Sequence, residues 1–177
     1  VRLLTLSSYY PHKNLELIPE IAEILKIKGV KNVRFILTLK DNDFKKYIIP
    51  HEYVRNIGPV APADCPALFN ECDMMFLPTL AECFSASYPE AMKMKKPIIT
   101  TDLGFARSIC EEAALYFKPK NAVAAADQIE RLVSDRELQK YLVAKGREQL
   151  KTFDNPQERA KKYIKLCESL AHKLKQG

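Results

Sequence analysis

Six short apolar runs punctuate the chain as far as Pro119, and segments of helical spacing separate them. The runs are "RLLTLSS" (Arg2–Ser8), "VRFILTL" (Val33–Leu39), "YVRNIGPV" (Tyr53–Val60), "DMMFLP" (Asp73–Pro78), "PIITT" (Pro97–Thr101) and "AALYFKP" (Ala113–Pro119). Runs this short and this apolar read as strands covered on both faces, and parallel pairing of such strands needs a crossover, usually a helix, between them. After the first run, Leu15, Ile18, Ile21, Ala22 and Leu25 recur at helical intervals, with Asn14 as the expected cap. Shorter helices are expected at Asp43–Ile49 and over "PADCPALFNEC" (Pro62–Cys72). The expected fold is α/β, a doubly wound parallel sheet of Rossmann-like type sandwiched by helices. Beyond Pro119 only helices are expected: Ala122–Leu132, Glu137–Leu150, and a tail that opens at the pair Asn155 and Pro156.

A chain of 177 residues can bury one full core, so residues 1–177 are expected to form a single domain. It opens on Val1 without an initiator methionine, which suggests a piece of a longer protein. No apolar stretch approaches the roughly 20 residues of a membrane helix, and no signal-peptide pattern is present. The five cysteines, Cys65, Cys72, Cys83, Cys110 and Cys167, follow neither zinc-site nor disulfide spacing. Reduced thiols and a cytoplasmic location are expected. The net charge of +6 comes from lysines spread along the chain, with no combined basic and aromatic face. That pattern fits a solvated surface better than a nucleic-acid partner.

The chemistry concentrates in "PTLAECFSASYPEAMKMKKPIITTD", Pro78–Asp102, where Glu82 and Glu90 are separated by seven residues. A single helix through both would hold Pro89 in its interior, where proline loses a hydrogen bond and clashes. The helix must therefore start late, with Pro89 and Glu90 in its first turn. Glu82 then lies in the loop after the fourth strand, at the edge where open parallel sheets bind ligands. The residues between the two glutamates end at a helix N-terminus, a natural seat for phosphate. Carboxylates beside such a seat call for hydroxyl partners, and sugar hydroxyls are the expected ones.

These residues resemble the Glu-x7-Glu motif of the retaining glycosyltransferases of family 4, which have the GT-B fold. The resemblance extends along most of the chain: "YYPHKNLELI" is similar to the family's phosphate loop and first helix, "NIGPV" to its nucleobase loop, and "PEAM" with "KPIITTD" to the motif's continuation. It implies the C-terminal, nucleotide-sugar-binding half of a GT-B enzyme that works without a metal and without a cofactor beyond its nucleotide-diphosphate-sugar donor. By resemblance, Glu82 contacts the transferred sugar and Lys13 neutralises the departing diphosphate. Glu90 binds the ribose, and Val60 meets the base through its main chain. The backbone at Phe84 and Ser85 faces the sugar, and Ala86 and Ser87 donate to the diphosphate. An N-terminal domain would supply the glycan or lipid-linked acceptor, and helical tail 154–177 would pack on it. The resemblance also admits a peripheral contact of the full-length enzyme with the inner face of the membrane.

The chain departs from the family at three places: Ser8 stands where an arginine is usual, and Cys83 and Ser85 stand where glycines are usual. Two alternatives therefore stay open, a nucleotide-binding module without turnover and a GT-B sugar-nucleotide epimerase. The remaining histidines, His12, His51 and His172, read as turn or surface residues.

Overall fold

The computed structural model describes residues 1–174, with the side chains of all but 156 and 172–174. Six strands, β1 (Arg2–Thr5), β2 (Arg34–Leu37), β3 (Val54–Asn56), β4 (Met74–Leu77), β5 (Ile98–Thr101) and β6 (Ala114–Phe117), form one sheet. Their order is β3-β2-β1-β4-β5-β6 and every pairing is parallel, as the double-sided apolar character of the runs requires. Leu3 sits beside both Phe35 and Met74, so β1 and β4 form the centre of the sheet.

Alternation along the strands divides the core in two. Leu3, Phe35, Phe76, Ile99 and Phe117 point to the face covered by α1 (Leu17–Ile27) and α6 (Ala122–Ser134). Leu4, Met75, Leu77 and Ile98 point to the other, under α3 (Cys65–Glu71), α4 (Ser87–Lys93) and α5 (Gly104–Cys110). On the first face the Phe76 ring lies 5.5 Å from Phe35, edge-on, and 5.6 Å from Phe117, stacked. A short helix, α2 (Asp41–Tyr47), joins β2 to β3. Helix α7 (Arg136–Leu150) passes α4 so closely that a Cβ on Gly146 would lie 3.1 Å from Met92 Cγ.

Several boundaries differ from the sequence reading. The run expected through Ser8 leaves the ladder after Thr5, and Thr38 Oγ1 there accepts from the Ser7 N–H in place of a main-chain partner. Asn14 does not cap α1. It takes the left-handed conformation, with φ 54°, and ends a 3-10 turn over Pro11–Lys13. Helix α5 was not expected, because its two turns, "GFARSIC", carry too few apolar repeats to signal a period. His51 is not a surface residue, since its ring is mostly covered, lies 3.1 Å from Glu23 and accepts from the Tyr53 N–H.

The last helix, α8 (Pro156–Leu174), begins where expected. Asn155 Oδ1 accepts from the Glu158 N–H, and the Glu158 carboxylate accepts from the Asn155 N–H, a reciprocal cap. Of the apolar stripe read from the sequence, Ala160, Tyr163, Ile164, Cys167, Leu170 and Ala171 are all exposed. Leu174, its last member, lies outside the described side chains.

The ring stack at Phe76 is the test of the first core face. Phe76→Ala is expected to destabilise the domain by about 3–5 kcal/mol in urea denaturation. A loss under about 1 kcal/mol would mean that the three rings do not organise that face.

Candidate functional site

The order of the strands reverses between β1 and β4, because β1 is followed by β2 on one side and β4 by β5 on the other. The loops after these neighbouring strands diverge and leave a crevice beyond the strand ends, which is the standard ligand position in open α/β sheets. Lys13 comes from the first loop and Glu82 from the second. Lys13 Nζ lies 2.5 Å from Glu82 Oε1, and the two side chains retain only 18% and 12% exposure. Thr79 Oγ1 is 3.1 Å from the same carboxylate oxygen. Three further contacts join the loops: Leu80 N–H donates to the His12 carbonyl at 2.7 Å, Asn14 Nδ2 donates to the Pro78 carbonyl at 3.3 Å, and Thr79 Oγ1 lies 3.3 Å from the His12 carbonyl.

A layer of buried hydroxyls supports this edge from below. Thr5 Oγ1 donates to the Phe76 carbonyl at 2.8 Å, and Thr100 Oγ1 to the Leu77 carbonyl at 3.0 Å. Thr101 Oγ1 donates to the Thr79 carbonyl at 2.5 Å. Carbonyls at the ends of buried strands need donors, and these threonines supply them. The fully buried Tyr88 hydroxyl lies 2.7 Å from Thr100 Oγ1, which fixes the start of α4 against β5. Burial drives the Tyr88 phenol well above its ordinary pKa. Thr79 was not singled out in the sequence, and Asn14 only as a helix cap; the available signal for the hydroxyls was threonine at the ends of three buried runs.

Helix α4 starts at Ser87 and holds Pro89 and Glu90 in its first turn, as expected. Its opening amides, like those of any helix, lack intrahelical partners. Around it, Ser85 is buried, Cys83 and Ala86 are exposed, and Ser87 is half-buried. Phe84 is 47% exposed and meets Phe153 edge-on at 6.2 Å. Glu90 is exposed, yet the protein around its carboxyl desolvates it enough to raise its pKa above the usual carboxylate range. It lines a cavity of about 300 Å³ with Phe84, Phe153 and Arg159.

Val60 lies elsewhere along the same edge, in a cavity of about 230 Å³ with Ser7, Ser8, Thr38 and Pro59. Gly58, at φ 80°, makes the turn that leads into it. Thus Lys13 and Glu82 are in direct contact, whereas Val60 and Glu90 line separate cavities. A groove of about 530 Å³, with Arg2, Arg34, Arg55 and Glu71, lies toward the N-terminal ends of β1 and β2, away from the crevice. Among the described residues, no three His, Cys, Asp or Glu side chains converge as a metal site needs. The five cysteines are free thiols.

Fold and crevice together define an α/β domain of the kind that forms half of a GT-B enzyme. The profile of the family Glycosyl transferases group 1 matches residues 2–149, and the chain belongs to that family. No curated protein sequence matches it. Its structure is similar to sucrose-phosphate synthase from Thermosynechococcus elongatus, with TM-score 0.79 and 18% identity over 97% of this chain and 45% of that one. It is also similar to S. aureus TarM, solved in complex with Fondaparinux, alpha-GlcNAc-glycerol and UDP. There the TM-score is 0.80, with 20% identity over 93% of this chain and 35% of that one. The C-terminal domain of a Francisella tularensis glycosyl transferase group 1 protein, LpcC, gives TM-score 0.69 and 19% identity over 85% and 84% of the two chains. The chain thus spans less than half of the first two proteins and most of the third, and at these identities the likeness is one of fold.

The raised pKa of Glu90 has a signed consequence. A carboxyl with a higher pKa folded than unfolded favours folding while protonated, and that contribution is lost as pH rises through the folded pKa. Glu90→Gln is therefore expected to melt higher than the parent at neutral pH, with the gap closing as pH falls into and below the carboxylate range. Thermal melts across pH check this; a gap that widens on acidification would mean that the carboxylate is stabilised by its surroundings instead.

Proposed function

We propose that the chain is the donor-binding, C-terminal half of a retaining glycosyltransferase of family 4. In this reading it transfers a sugar from a nucleotide-diphosphate sugar to a glycan or lipid-linked acceptor, in the cytoplasm or at the inner face of its membrane. The observation that carries the reading is the meeting of Lys13 and Glu82 at the switch point of the sheet, each from a different loop. In the reaction, the bond from the anomeric carbon to the diphosphate breaks, one to the acceptor oxygen forms on the same face, and the acceptor hydroxyl's proton passes to the departing diphosphate. Lys13 stabilises the charge that develops on the departing diphosphate, an effect strengthened where water is largely excluded. Glu82 holds sugar hydroxyls, and the backbone at Phe84 and Ser85 faces the same sugar. The amides at Ala86 and Ser87 serve the diphosphate, Glu90 the ribose and the main chain at Val60 the base. No metal is needed in this scheme, because lysine and amides supply the positive charge.

The acceptor side belongs to an N-terminal domain, and the exposed Tyr163, Ile164 and Leu170 of α8 suit a helix that packs on it. Ser8, exposed beside the Val60 cavity, supplies no charge there and favours the second reading, a nucleotide-binding module without turnover. Sugar transfer by the full-length protein, lost on Glu82→Ala, separates the two.

Glu90→Ala is expected to weaken a nucleoside diphosphate with an intact ribose by about 1.5–3 kcal/mol, the scale of a hydrogen bond to a charged group. A 2′,3′-dideoxy analogue is expected to bind parent and variant alike in calorimetry. Equal losses for both ligands would remove Glu90 from the ribose.

A further inference from the structure

The Lys13–Glu82 contact has a consequence that depends on the donor-site reading and extends it. The cation assigned to the diphosphate is engaged by the carboxylate assigned to the sugar. Both side chains are largely withdrawn from water, and among the described residues the other group in reach of Oε1 is the Thr79 hydroxyl, which also lies near the His12 and Ala81 carbonyls. A diphosphate that draws Lys13 away leaves Glu82 with one hydroxyl and brings a second anion beside it. Removing one partner of a poorly solvated ion pair is costly, because the other charge stays desolvated and uncompensated. A ligand that carries a sugar brings hydroxyl donors to the same carboxylate and repairs the loss.

We propose that the Lys13–Glu82 pair makes this site discriminate between the sugar-loaded donor and the bare nucleoside diphosphate left after transfer. The loaded donor exchanges one set of partners for another at both residues. The bare diphosphate satisfies Lys13 only. Affinity would otherwise run the opposite way, since the free terminal phosphate carries more charge for Lys13 to attract. The pair therefore acts as a product-release device as well as a specificity element, and specificity of this kind comes from a group left unsatisfied in the wrong complex.

Calorimetry on this chain tests the proposal with uridine, guanosine and adenosine diphosphates and their glucose conjugates. With the base that binds, the parent is expected to take the glucose conjugate more tightly than the diphosphate. Equal or reversed preference overturns the proposal without any variant. Glu82→Gln is expected to tighten the diphosphate about tenfold, the scale of one charge-assisted hydrogen bond released for the ligand, and to narrow or invert the preference. The same substitution in a Lys13→Met background is expected to change diphosphate affinity by less than about twofold, because the two residues act through each other. An equal gain in both backgrounds would mean simple repulsion between Glu82 and the ligand and would overturn the coupling. Circular dichroism of each variant establishes that it is folded. The donor-site reading is checked separately by the Glu90 comparison. If ribose recognition holds and Glu82→Gln leaves the diphosphate unchanged, the discrimination fails alone; if no probe binds the parent, both fail.

Discussion

Strands β1 and β4 are joined side by side, Leu3 to Met74 and Leu4 to Met75, although more than half of the first core is built by the chain between them. Every element of the crevice depends on that pairing. It brings two loops distant in sequence to one point, where a lysine from one and a glutamate from the other can share a proton-bearing contact. The pairing is maintained by ordinary forces: apolar side chains on both faces, and threonine hydroxyls that saturate carbonyls at the sheet's upper edge. Chemistry here is a boundary condition of packing. Any change that shifts β4 along β1 by one residue would exchange its inward faces and separate Glu82 from Lys13 at once.

How much of this was legible in the sequence follows from which forces act locally. The strands and the longer helices were readable because burial imposes a period, as at Leu15 to Leu25 and along α6. The late start of α4 was readable because proline restricts its own neighbourhood. Short elements were harder. Helix α5 is only seven residues long, and Asn14 has the composition of a cap but adopts a left-handed turn that tertiary contact with Pro78 holds. The positions of Glu82 and Glu90 could be placed at one edge from the motif. The partner of Glu82 could not, since the Lys13 contact spans 69 residues and no local rule reaches that far. Thr79 and Thr100 were invisible for the same reason: a buried hydroxyl identifies its acceptor only once the sheet is assembled.

The departures from the family pattern also acquire a physical meaning. Cys83 and Ser85 occupy positions where glycine is usual, yet the loop contains no residue with positive φ. Its path therefore makes no demand for glycine on conformational grounds. The Ser85 side belongs to the interior, and the Cys83 thiol is free on an exposed residue. What these residues alter is the shape and polarity of the loop between β4 and α4. Ser8 alters charge, because the edge near Val60 has a hydroxyl where a guanidinium is customary. The positive charge on that side of the sheet then rests more heavily on Lys13.

Gly146 lies far along the chain from the Glu-x7-Glu stretch, but its missing side chain sets the seat on which α4 rests. Backbone of α7 and the Met92 side chain meet there at a distance with almost no slack, so α4 has a hard stop on one side and the Tyr88–Thr100 bond as a tether on the other. A helix of seven residues clamped at two points behaves as a rigid peg rather than a spring. The Glu90 carboxylate is mounted on that peg. The seat of α4 is thus governed by a residue on another helix, and homologous chains with a bulkier residue at this position would have to carry a smaller one opposite it to keep the peg in line.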